Sequence, residues 1–73
     1  MINRKMEQSK IERMLIENEA ELLRLDEIEK GYHENPDLDL EKRVRLLLAV
    51  EETRQRRLRL KEKLEKELQN EKQ

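Results

Sequence analysis

Leucine, isoleucine, valine and methionine recur along this chain at steps of three, four and seven, the repeat of one helical face. In the N-terminal half the apolar positions are Met6, Ile11, Met14, Leu15, Leu22, Leu25 and Ile28, with Tyr32 closing the series. Asn18 falls on that face between Leu15 and Leu22, and Ile16 and Leu23 widen it. In the C-terminal half Leu40, Val44, Leu47 and Leu48 form a first seam. Val50, Leu58, Leu60, Leu64 and Leu68 continue it with a sideways drift, and Arg54, Arg57 and Lys61 interrupt it.

Residues 30–38, Lys-Gly-Tyr-His-Glu-Asn-Pro-Asp-Leu, separate the two patterns and contain the only glycine and the only proline. Gly31 suits a helix C-cap, where a left-handed conformation meets no Cβ clash. Pro36 has no amide proton and pushes Asn35 out of the helical region. Asp37 or Asp39 can then accept bonds from the free amides of a second helix and complement its positive end. These signals predict one domain over residues 1–73. Its helices run from about 3 to 30 and about 38 to 71, with a turn over about 31–37. The expected fold class is all-α, a two-helix antiparallel coiled-coil hairpin.

A fold at residues 35–36 sets positions whose numbers total about 71 side by side. Leu47 then faces Leu25, Val44 faces Ile28, Val50 faces Leu22 and Leu60 meets Ile11. Leu64 and Leu68 reach the region of Met6 and Ile2. The same register places Arg54 beside Glu17 and Asn18. Two matched interruptions, one in each helix, predict a polar layer of Glu17, Asn18 and Arg54 that sets register.

Composition narrows the function classes. Of 73 residues, 48% are charged and 34% hydrophobic, the bias of coiled coils and long helices. Such a small chain buries little surface, so it is expected either to be marginally stable or to be completed by a partner or by the rest of a longer protein. The net charge of −1 gives no global field toward nucleic acid or membrane. The lack of cysteine excludes disulfides and thiolate metal sites and fits a reducing compartment. No run is apolar enough to span a membrane.

Catalytic chemistry finds no foothold. The single histidine, His33, lies in the expected turn without a second group to work with. There is no metal-binding pair and no glycine-rich phosphate loop, so no cofactor and no enzymatic activity are expected. The segment Arg54–Lys63 holds six basic residues and one acidic one. It offers contacts to RNA phosphates, but no aromatic residue is interleaved for base stacking, and a solvated helix face is the simpler reading. Residues 17–29 lean the other way, with six carboxylates against Arg24 alone, so the first helix is acidic and the second basic.

At Tyr32-His-Glu-Asn35-Pro36 the chain resembles the homology-region-1 repeat, the antiparallel coiled-coil finger of Rho effectors. It is most similar to the version in F-BAR and SH3 adaptor proteins. The resemblance covers roughly residues 10–68, and its distinctive part is the turn. After Asn-Pro, where that subgroup usually has a Met-Gly-Asp-Pro-type loop, this chain reads Asp37-Leu38-Asp39-Leu40. The resemblance implies a non-enzymatic module that binds an activated Rho-family GTPase. Its expected partner surface is Tyr32, Asn35, Asp37, Asp39, Lys42 and Arg43. It also implies a cytoplasmic setting, at the membrane cortex or cytoskeleton through a parent protein. Two alternatives stand beside it: a structural coiled coil that self-associates into a dimer or four-helix bundle, and an RNA-binding helical arm.

Overall fold

The computed structural model describes residues 4–72, with side chains described from Gln8 to Asn70. Helix α1 spans Arg4–Glu34 and helix α2 spans Leu40–Lys72, and the described residues contain no strand. The helices pack antiparallel as a hairpin 56 Å long and about 16 Å across. The start expected near residue 3 lies outside the described residues.

The seam follows a strict alternation of three and four once polar residues are admitted to it. On α1 it reads Ile11, Leu15, Asn18, Leu22, Leu25, Glu29 and Tyr32, each buried or half-buried. On α2 it reads Arg43, Leu47, Val50, Arg54, Arg57, Lys61, Leu64 and Leu68. This 3.5-residue repeat is the coiled-coil spacing, and it keeps both stripes facing one another over their length. Leu25, Val50 and Leu64 are the buried hydrophobic side chains among the described residues. Between them the seam of α2 is carried by long cations. Their aliphatic stems pack like apolar side chains while their charged ends leave sideways.

The apolar series expected on α2 is therefore displaced. Leu40, Val44, Leu48 and Leu58 are exposed rather than central, and so are Ile28 and Met14 on α1. The positions of Arg54, Arg57 and Lys61 are the seam itself, not breaks in it.

Register differs from expectation by one helical turn. Asn18 bonds to Arg57 and Tyr32 to Arg43, and each pair totals 75 rather than 71. The cause is Gly31. It is not a C-cap: its φ is not positive, and α1 runs through it to Glu34. A glycine inside a helix costs only about 0.5–1 kcal/mol relative to alanine. Continuing through it brings Tyr32 onto the seam. The chain breaks instead at Asn35, where Pro36 disfavours the helical region. The turn thus occupies 35–39, about two residues beyond the expected fold point. The contacts expected of Leu64 and Leu68 with Ile2 and Met6 lie outside the described side chains.

Candidate functional site

The turn is built by side chains that replace missing backbone bonds. The Asn35 Oδ1 accepts from the Asp37 amide at 2.9 Å, a side-chain mimic of a backbone turn. The Asp39 Oδ1 accepts from the Lys42 amide at 2.7 Å, so Asp39, not Asp37, is the N-cap of α2. The backbone carbonyl of Asp39 accepts the next bond, from the Arg43 amide at 3.0 Å.

Arg43 closes the end of α1. Its Nε donates to the Tyr32 carbonyl at 3.1 Å, and its Nη2 donates to Asn35 at 2.8 Å and Leu38 at 3.1 Å. The last carbonyls of a helix have no partner within it, and they carry the negative end of the helix dipole. A planar fork of donors satisfies several at once, which a lysine cannot do.

Of the six expected partner-surface residues, Asn35, Asp39 and Arg43 spend side-chain polar groups within the turn. Tyr32 is half-buried against the seam. Asp37 and Lys42 remain exposed. Lys42 lines an open depression of about 200 Å³ with Asp39, Glu41 and Arg45.

The expected polar layer is split in two. Asn18 is 2% exposed, and its Nδ2 donates to the Arg57 carbonyl at 2.9 Å. The Arg57 Nη1 lies 3.5 Å from the Asn18 Oδ1. Arg54 stands one layer nearer the turn, bonded to Glu29, to Asp26 at 3.2 Å and to Glu51 at 2.6 Å. Glu17 is exposed and belongs to neither group. The one-turn register difference explains the split: Arg54 meets α1 residues beyond Leu25 instead of Asn18.

Three carboxylates around one guanidinium shape the local titration. The hydrogen bond that Arg54 donates to Glu29, then that to Glu51, stabilises the cation and raises its pKa. Hydrogen bonds from Gln55 and then Arg54 hold the Glu51 carboxyl below its ordinary value. Farther along, the Lys61 Nζ lies 3.4 Å from Glu19.

Asp26, Glu29, Glu51 and Glu19 were not singled out for these roles from sequence. The signal was the 3–4 alternation, visible only if Glu29, Arg54, Arg57 and Lys61 count as seam positions. The basic segment is also divided. Arg54, Arg57 and Lys61 serve the seam, while Arg56, Arg59 and Lys63 are exposed.

No metal-ligand cluster exists among the described residues, and no described helix is long and apolar enough to cross a membrane. Comparison with protein-family models, with curated proteins and with solved structures finds no match to this chain.

Proposed function

We propose that this hairpin is a non-enzymatic protein-interaction module that presents its turn to an activated Rho-family small GTPase. The supporting observation is the ordering of the turn. Arg43 ties α1, the turn and α2 together while Asp37 and Lys42 stay free at the tip. A loop already held in one conformation loses little entropy on docking. Opposite charges at the tip suit a partner surface of mixed sign, which favours correct orientation. The Tyr-x-x-Asn-Pro resemblance supplies the identity of the partner. A cytoplasmic parent protein at the cortex or cytoskeleton is the matching setting.

The test is binding to GTP-loaded and GDP-loaded Rho-family proteins, with the double variant Asp37→Lys/Lys42→Glu. Preference for the GTP form, lost in the variant while helicity by circular dichroism is kept, is the expected result. Equal or no binding to the two nucleotide forms overturns the reading.

A further inference from the structure

Charge on this hairpin is sorted by flank as well as by helix. Arg54 bridges Asp26 of α1 and Glu51 of α2, which places those two carboxylates on one side of the seam. Residues three, four and seven positions away share that side. On α1 they include Glu12, Ile16, Glu19 and Leu23; on α2 they include Val44, Leu48, Leu58, Glu62 and Glu65. Ile16 is 71% exposed, Leu23 60% and Leu48 58%, with Val44 and Leu58 beside them. Seven carboxylates stand on this flank against Lys30, and Arg56 and Arg59 border Leu48 and Glu51 in one depression at its edge. Arg54 and Lys61 reach it from the seam but leave it acidic. Glu41 and Glu62 pair with Arg45 and Lys66 at its edge, in exposed contacts that exchange readily.

The opposite flank differs in both respects. Met14, Glu21 and Leu60 line one depression there. Met14 and Ile28 are only 38% and 36% exposed, and Leu46 and Leu60 are half-buried. Lys10, Arg24, Lys42 and Lys63 outnumber the acids Glu17, Glu21 and Glu67.

We infer that the Ile16–Leu23–Leu48–Leu58 flank is a docking face for a basic amphipathic α-helix. Apolar side chains at helical spacing on two neighbouring helices form the groove that an amphipathic helix fills with its i, i+3, i+4 and i+7 residues. The rim of carboxylates selects lysine and arginine beside that apolar stripe. Two copies of the hairpin joined through this same face would set carboxylate against carboxylate, so the charge pattern disfavours a symmetric dimer here. The apolar stripe from Val44 to Leu58 spans roughly 21 Å of helix, enough to receive about 15 residues of a partner helix.

The probe is a fluorescent 25-residue leucine–lysine amphipathic peptide, with a leucine–glutamate peptide of the same pattern as control. Anisotropy titrations compare the full chain with Leu23→Gln, Leu48→Gln and the double variant. Lys63→Gln, on the opposite flank of α2, serves as reference. Binding of the lysine peptide, weakened about tenfold by each leucine change and unaffected by Lys63→Gln, is the expected outcome. Circular dichroism shows whether each variant remains folded. Equal binding by wild type and the double variant would reduce the interaction to charge adhesion and overturn the proposal. Equal binding of the glutamate peptide does the same. A dimer of the chain alone, dissolved by the leucine changes, would assign the face to a second copy instead.

Discussion

The Arg43 Nε donates to the carbonyl of Tyr32 at 3.1 Å, tying the first turns of α2 to the last turn of α1. Two further donations from the same guanidinium, to Asn35 and Leu38, make it the main polar link across the turn. Arg43→Ala is expected to lower stability by about 1.5–3 kcal/mol, the range for hydrogen bonds made by a charged group. Arg43→Lys should recover only part, because an ammonium lacks the planar fork. Urea melts measure both. An unchanged midpoint in Arg43→Ala would mean that water serves those carbonyls equally well.

Gly31 gives a prediction of opposite sign to its expected role as a cap. A Cβ built there meets nothing within 4 Å, and the backbone is helical without positive φ. Gly31→Ala should therefore stabilise the hairpin by about 0.5–1 kcal/mol. A left-handed cap would make the same change destabilising. Thermal unfolding distinguishes the two by the direction of the shift.

These two residues show what was legible in the sequence. The hairpin itself was readable, because a Gly–Pro break between two 3–4 patterned segments leaves few other folds. Its register was not. A helix tolerates one glycine at small cost, so Gly31 and Pro36 looked like partners in one break when only Pro36 breaks the helix. The seam was obscured for a related reason. Scoring apolar residues alone followed Leu40, Val44 and Leu58 outward, while Arg43, Arg54, Arg57 and Lys61 held the inward positions. At the turn, side-chain chemistry showed which residues mattered but not that Asn35, Asp39 and Arg43 would bond to their own backbone.

Asn18 is expected to limit stability in exchange for alignment. Its carboxamide is buried at a seam position, where a leucine would pack without needing hydrogen bonds. Asn18→Leu is expected to raise stability by about 1 kcal/mol or more while admitting other registers or oligomers. Native mass spectrometry and the midpoint of thermal unfolding report the two effects separately. A lower midpoint would show that the Asn18–Arg57 bond contributes net stability.

The Glu51 contribution sets an acid limit. Gln55 and Arg54 hold this carboxyl below its ordinary value of 4.5 in the folded chain. Its stabilising effect is thus complete above that value, where the unfolded chain is ionised too. It is lost as pH falls through the lower folded value. Melting temperatures followed from neutral pH into this acid range should decline less steeply for Glu51→Gln than for the wild type. Parallel curves would remove Glu51 from the acid response.

Because α1 begins at Arg4 and α2 ends at Lys72, both ends opposite the turn lie together. Tension drawing those ends apart loads the hairpin as a zipper, one layer after another, instead of shearing all layers at once. Leu68 and Leu64 give way first, then the Asn18–Arg57 bond, then the carboxylates around Arg54. Arg43 is reached last, so a partly pulled hairpin keeps its turn clasped and closes again from that end in the same alignment.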